Sequence, residues 1–150
     1  MGSKIKRYHV ERSAVETEDL VEGAIKLEVP IPIVVDSQNV TSATLATLNG
    51  WARWILSDFL ANYIDAIYVE LEYATGGAGN IDLYDITNST KIADLVAPTS
   101  AVTHTITRVD VTTAMKAKTS AITIGIRAAG DGTNAATVYS AKLILVMSFS

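Results

Sequence analysis

The chain has 150 residues, of which 49% are apolar and 19% charged, and this balance predicts one globular domain rather than a disordered chain. Its formal net charge of -4 argues against a nucleic-acid partner, which would favour a basic surface. It contains no cysteine, so disulfides, thiolate metal sites and a cysteine nucleophile are excluded.

Residues 1–28 are the most charged part of the chain, and they precede a body rich in Ala, Thr, Val and Ile. The segment also contains apolar residues that a fully solvated tail would not need: Ile5, Tyr8, Val10, Val15, Leu20, Val21 and Ile25. We therefore predict an N-terminal arm at 1–28 and a single domain at 29–150. The arm lacks the apolar h-region of a signal peptide, and no apolar run is long enough for a membrane span.

Residues 45–63 fit two structures. Apolar residues lie at helical spacing at Leu45, Leu48, Ala52, Ile55, Phe59 and Tyr63. The same stretch contains WARWIL, which alternates as a strand, and a glycine at 50 would weaken a continuous helix by about 1 kcal/mol. We favour a strand at 51–56 and a short helical turn at 58–63. In that strand Trp51 and Trp54 point to opposite faces, so one of them needs a cover.

The rest of the chain alternates between apolar and polar residues, which is typical of half-buried strands. Turn-forming sequences separate the strands: GGAGN at 76–80, NST at 88–90 and GDGTN at 130–134. One strand places Ile67, Val69, Leu71 and Tyr73 on one face and Tyr68, Glu70 and Glu72 on the other, and a later strand directs Ile122, Ile124, Ile126 and Ala128 inward. Short strands at this spacing predict an all-β fold, an antiparallel sandwich or barrel.

The last strand is apolar on both faces. We predict that one face carries Tyr139, Ala141, Leu143, Leu145 and Met147. Ile144 and Val146 lie on the opposite face, which should be wet in an isolated sandwich. Their cover could be the arm, the 51–63 segment or a neighbouring subunit, because exposed apolar patches usually mark interfaces.

Two stretches, AIYVELEYATGGAGNIDLYDITNSTKI and ATVYSAKLILVM, resemble the jelly-roll β-sandwich modules of virion proteins and of microbial and phage surface appendages. The resemblance covers roughly residues 50–148 and implies a jelly-roll fold. It transfers no catalytic residue, and residues 1–35 match no module that we can name.

Glu70 and Glu72 are the strongest candidates for an active site. Side chains two residues apart on a strand are about 7 Å apart on one face, a spacing that glycosidase carboxylates also show. Alternation alone predicts the same pair, because the outer face of a half-buried strand is polar. His9 and His104 have no catalytic partner nearby in sequence, and no metalloprotease, nucleophile-elbow or phosphate-loop motif is present. We therefore interpret the pair as a sheet surface and predict no enzyme.

Two oxygen-rich turns are candidate calcium sites, since calcium takes oxygen ligands from loops. They provide Asp36, Asn39, Asp131 and Asn134. Asp, Asn and Gly form such turns without a metal as well, and no other cofactor is predicted.

Two functions remain open at this point. The first is a self-assembling structural subunit of a virion or of an extracellular filament or tube, without membrane span, whose partner is itself. The residues predicted at its interface are Ile5, Tyr8, Val10, Trp51, Trp54, Ile144 and Val146. The second is a carbohydrate-binding β-sandwich with a platform formed by Trp51, Trp54, Tyr68 and Tyr73.

Overall fold

The structure is a computed structural model that describes residues 25–149. Within this range the chain forms ten strands and two short helices. The strands are β1 (Ile25–Val34), β2 (Gln38–Val40), β3 (Ala46–Thr47), β4 (Ala52–Trp54), β5 (Ile64–Thr75), β6 (Asn80–Asp85), β7 (Thr90–Val96), β8 (Val102–Asp110), β9 (Ile122–Ala129) and β10 (Ala136–Phe149). The helices are α1 (Asp58–Ala61) and α2 (Thr112–Lys116).

The strands form two antiparallel sheets that pack face to face. The first sheet has the order β1-β10-β5-β8, with β2 added beside β10. The second has the order β3-β9-β6-β7, with β4 also paired to β9. The chain passes repeatedly from one sheet to the other, and each sheet contains four main positions, as in a jelly roll. The prediction of an all-β, jelly-roll sandwich is confirmed.

The core lies between the sheets and is formed by alternate residues of the long strands. On β9 the residues predicted to point inward, Ile122, Ile124, Ile126 and Ala128, are all 2% exposed or less. On β5 the inward set is Ile67, Val69 and Leu71, which are fully buried. The period-two pattern therefore identified the core face of both strands correctly, because that pattern follows directly from the pleat.

The prediction for one face of β10 is wrong at Tyr139. Val138 pairs with Tyr73, and Ser140 pairs with Glu72, so β10 contains one extra residue between these pairs. Such a bulge reverses the alternation of the strand. Val138 is consequently buried, whereas Tyr139 stacks on His104, with 4.1 Å between the ring centroids.

The ambiguous segment contains both a strand and a helical turn. The strand β4 is shorter than predicted, and α1 begins after Ser57, whose side chain accepts a hydrogen bond from the Leu60 amide. Gly50 precedes β4 with φ +114°, and a Cβ there would meet the Ile33 carbonyl oxygen. A continuous helix is excluded at this point, because the backbone conformation and the close approach both require glycine.

The division between arm and domain stays a prediction, because residues 1–24 lie outside the described range. Three predicted interface residues, Ile5, Tyr8 and Val10, fall in that segment. Residues 25–28, which the sequence assigned to the arm, already pair with β10 as the beginning of β1.

Candidate functional site

The outer face of the β1-β10-β5-β8 sheet carries a network of ion pairs centred on Glu70. One oxygen of Glu70 accepts a hydrogen bond from Arg108 Nε at 3.0 Å, and the other lies 3.1 Å from Lys142 Nζ. The two terminal nitrogens of Arg108 donate to both oxygens of Glu28, at 2.8 and 2.9 Å. The network thus links all four main strands of the sheet.

These contacts move the pKa values of the groups involved. Hydrogen bonds from Arg108 and then from Lys142 lower the pKa of Glu70. The hydrogen bonds from Arg108 also lower the pKa of Glu28, and the two carboxylates raise the pKa of Arg108. Glu70 is therefore held as an ion-paired carboxylate, which makes it a poor proton donor near neutral pH.

Glu72 lies beside this network and has different partners. One of its oxygens is 2.6 Å from His104 Nε2, and the other accepts a bond from the Ser140 hydroxyl at 3.3 Å. Both glutamates are on the outer face and are partly exposed, with side-chain exposures of 22% and 32%. This position agrees with the interpretation of the pair as a sheet surface.

The same network explains how Ile144 is covered. Ile144 is only 3% exposed although it lies on the outer face, and its neighbours in register are Pro30 and Tyr68. These three residues form one row across the sheet. Glu28 lies in the next outward-facing row on one side of it, and Arg108 lies in the next outward-facing row on the other side. The ion pair between them must extend over the row of Ile144. Val146, between Glu28 and Ala66, is half-buried.

A strip of apolar side chains is exposed at one end of the sandwich. We call it the end strip, and its members are Ile25, Leu27, Phe59, Tyr63 and Phe149. Phe59 is 72% exposed and Leu27 50%. Phe149 pairs in register with Ile25 and stacks on Tyr63, with ring centroids 5.3 Å apart, and Tyr63 in turn lies 5.0 Å from Phe59. The strip is therefore continuous, and it includes the first described residue of the chain.

The four aromatic residues of the predicted carbohydrate platform do not share a surface. Trp54 and Tyr73 lie in the core, at 2% and 7% exposure, so neither can contact a sugar or a neighbouring subunit. Trp54 is thus covered by the core of its own sandwich and not by another subunit. Trp51 is 64% exposed and remains a candidate interface residue. The platform prediction is wrong because β4 packs against β9 and directs one tryptophan inward.

In the candidate calcium turns, the side-chain oxygens of Asp131 and Asn39 already accept hydrogen bonds, whereas Asp36 offers only its backbone oxygen, to Gln38. Asp131 Oδ1 accepts from the amides of Thr133 and Asn134, and its Oδ2 accepts from the Asn134 side chain. These bonds lower the pKa of Asp131. Asn39 Oδ1 accepts from Thr137 Oγ1 at 2.7 Å. Within residues 25–149 no group of three or more His, Cys, Asp or Glu residues could hold a metal ion. Calcium at Asp131 would have to replace the hydrogen bonds that form the turn.

Sequence reasoning did not single out Arg108, and it placed Lys142 on the face of Ile144 and Val146 without connecting it to Glu70. Arg108 and Lys142 lie at the alternate positions of β8 and β10 whose side chains point outward, and this alternation was the one available signal. Their common partner Glu70 could not be found in this way, because the order of strands in the sheet brings the three residues together.

No helix within the described range could cross a membrane, and the longer of the two, α2, has five residues.

The sheet order defines the chain as a jelly-roll β-sandwich. No family model and no curated protein sequence matches it. Among solved structures it is similar to the infectious bursal disease virus VP2 subviral particle, with 14% identity and a TM-score of 0.47 over 82% of this chain and 33% of that chain. It is also similar to a structure of the Gx strain of that virus, with 16% identity and a TM-score of 0.49 over 83% of this chain and 32% of that one. The chain thus spans about a third of these proteins, and the likeness is one of fold.

Proposed function

We propose that the chain is a structural subunit that assembles with copies of itself into a virion or an extracellular assembly. The observation that supports this proposal most is the end strip. Monomeric domains rarely leave a continuous row of large apolar side chains in water, and such rows usually mark contacts with another protein.

The arm is the part of the chain that we propose to cover the strip. Residues 1–24 join the sandwich at Ile25, which is itself a member of the strip, and they contain apolar residues such as Tyr8 and Val10. In our proposal the arm docks on the strip of a neighbouring copy. Docking on its own sandwich would cover the same surface, but it would connect no subunits.

A catalytic role has no comparable support. The two carboxylates with favourable spacing, Glu70 and Glu72, are engaged by Arg108, Lys142, His104 and Ser140. The pair lies on an outer sheet face rather than in a cleft, and we propose that it stabilises the surface of the subunit.

Deletion of residues 2–24 tests the role of the arm. The deletion ends before β1, so the sandwich should remain folded by circular dichroism. We expect the truncated protein to lose the larger assemblies that the full chain forms, as measured by analytical ultracentrifugation at the same concentrations. Assembly of the truncated protein to the same extent as the full chain would show that the arm is not the linker.

A pair of substitutions with matched exposure tests the strip itself. Phe59 and Val35 are both 72% exposed, but Val35 follows the last residue of β1, about 33 Å from Ile25 at about 3.3 Å per strand residue. We expect Phe59→Ser to weaken self-association at least tenfold and Val35→Ser to leave it unchanged. Equal effects of the two substitutions would contradict the assignment of the interface to the end strip.

A further inference from the structure

The free edges of the two sheets differ in how well they are protected against pairing with another chain. An unprotected edge strand is a template for strand addition, and natural proteins protect edges with proline, charge, bulges or very short strands. The edge strand β1 contains Pro30 and Pro32. A proline has no backbone donor, so this edge cannot form a regular ladder with a further strand.

The edges of the second sheet are protected in other ways. The strands β3 and β4 have only two and three residues. Along β7 the register with β6 shifts twice, which places an additional residue in β7 at each shift. Its exposed face also carries an ion pair between Lys91 and Asp94. Neither edge is a suitable template for another strand.

The edge strand β8 lacks these protections over most of its length. It contains no proline, and its register with β5 is regular from Asp110 to Thr105, with one shift before Val102. No described residue pairs with its outer edge. In the middle of the strand Ile106 is 63% exposed. A regular, unpaired strand with an exposed apolar residue at its centre is what a pairing edge requires.

We infer that β8 pairs antiparallel with β8 of a second copy about a two-fold axis at Thr107. This inference rests on the proposed function, since it names one of the contacts through which copies assemble. In a two-fold interface the same surface meets itself. The sheets that contain β8 in the two copies then become one continuous sheet across the dimer.

Pairing length and side-chain complementarity favour the register with its axis at Thr107, which pairs every residue from His104 to Asp110. On the outer face this register places His104 opposite Asp110 of the second copy, and Ile106 against the aliphatic part of Arg108. On the inner face Thr107 lies opposite Thr107 of the second copy, and Thr105 lies opposite Val109 of the second copy. Residues directly opposite each other interact most strongly, and Thr–Thr pairs are favourable there.

The two neighbouring registers are worse. Paired residues must lie on the same face, so the register changes in steps that move the axis by one residue. An axis at Arg108 would bring two guanidinium groups opposite each other. An axis at Ile106 would place His104 opposite Arg108 of the second copy and would include the irregular part of β8 near Thr103. Two arginines directly opposite each other destabilise a sheet, and the irregular part of β8 weakens the ladder in the register with its axis at Ile106.

A second copy fits this edge better than the chain's own arm does. The arm joins the sandwich at β1, which is the other edge of the same sheet. To reach β8 in the same subunit it would have to cross β10 and β5 over the ion-pair network. The strand β8 carries one Arg and one Asp, so two copies can approach without a net repulsion from these groups.

Engineered disulfides test the register directly, because the natural chain contains no cysteine. Antiparallel partners have Cβ atoms about 4.5–5.5 Å apart, close to the roughly 3.5–4.5 Å of a disulfide. We expect Thr107→Cys to form a covalent dimer on mild oxidation. Thr105→Cys is the matched control: it should form none alone, but the double variant T105C/V109C should. Equal cross-linking of the T107C and T105C variants would overturn the register.

Substitution of Ile106 by a positive and by a negative residue tests which residue of the second copy lies opposite it. I106K would face Arg108 of the second copy and should weaken dimerisation at least tenfold in sedimentation equilibrium. I106E would lie opposite the same arginine, which Glu28 and Glu70 already bind, and beside Glu72 of its own chain, and it should retain dimerisation. Ile55→Lys, at a residue that is 60% exposed elsewhere on the surface, should have no effect.

The outcomes separate this inference from the proposed function. If the full chain assembles and I106K and I106E behave alike, the β8 contact is wrong and the function stands. If the full chain remains a monomer at every concentration, both are wrong. Selective cross-linking of T107C together with dimerisation that I106K weakens and I106E retains supports both.

Discussion

At the scale of single residues, Asp82 is one of two fully buried carboxylates of the described chain, the other being Asp85. Asp82 is buried on the outer side of the second sheet, where Arg127 donates two hydrogen bonds to it, at 3.0 and 2.6 Å. The guanidinium also lies 4.0 Å above the ring of Tyr84. These hydrogen bonds raise the pKa of Arg127. The planar guanidinium satisfies both carboxylate oxygens and the ring simultaneously, which an ammonium group cannot do.

The conservative substitution Arg127→Lys should therefore destabilise the protein. It keeps the charge but removes one hydrogen bond to a buried carboxylate and the contact with Tyr84, for a loss of about 2 kcal/mol. Urea unfolding would measure the change. The control is Arg53→Lys, at an exposed arginine with a single bond of 3.3 Å to Thr123, which should cost less than about 0.5 kcal/mol. Similar effects at both positions would contradict a special role for the bidentate pair.

At the scale of elements, the connections between strands depend on a few local devices. In the turn from β6 to β7, the buried Asp85 accepts hydrogen bonds from the amide and side chain of Asn88 and from Lys118. Burial raises the pKa of Asp85, but these bonds outweigh it and leave that pKa below its ordinary value. The LYDITN sequence, part of the resemblance to jelly-roll modules, is thus the end of β6 followed by a turn that Asp85 caps.

Two glycines with positive φ provide a matched prediction about the connections. Gly50 has φ +114° and backbone of Ile33 where a Cβ would lie, whereas Gly132 has φ +93° and open space. Gly132→Ala should cost only the backbone strain, about 1–2 kcal/mol. Gly50→Ala adds a collision with a carbonyl and should cost at least about 3 kcal/mol. Thermal unfolding of both variants checks this, and equal losses would mean that the contact with Ile33 is not as close as described.

At the scale of the whole molecule, the outer-face network ties the stability of the sheet to pH. The pKa values of Glu28 and Glu70 lie below their ordinary value of 4.5 in the folded state. An acid with a lowered folded pKa contributes stability that is fully present above the unfolded pKa and is lost as the pH falls through the folded one. The contribution of this network is therefore complete at neutral pH and begins to be lost as the pH falls below about 4.5.

We expect Arg108→Leu to flatten this part of the pH profile. The substitution removes the main cause of both lowered pKa values, so urea midpoints of the variant should fall less between pH 5 and pH 3 than those of the natural chain. Arg53→Leu removes an arginine without a carboxylate partner among the described residues and should leave the slope unchanged. A slope that Arg108→Leu does not alter would assign the acid sensitivity to other carboxylates, such as Asp85 or Asp131.

The sequence by itself determined the class of fold, most of the strands and the core face of β5 and β9. It also identified Glu70 and Glu72 as surface residues and located the helical turn near residue 58. These features follow from alternation and turn chemistry, which are local properties of a few consecutive residues. They do not depend on how distant segments of the chain pair with each other.

Only the tertiary structure decided the neighbours of each strand and the inward or outward direction of a few side chains. Arg108 reaches Glu28, 80 residues away in the sequence, because their strands belong to the same sheet, in which β10 and β5 lie between them. The extra residue in β10 turns Tyr139 outward, and the contact of β4 with β9 buries Trp54 instead of exposing it. The physical reason is the same in each case. These directions depend on pairing between distant segments, and the sheet order that sets this pairing minimises the energy of the sandwich as a whole rather than of any local stretch.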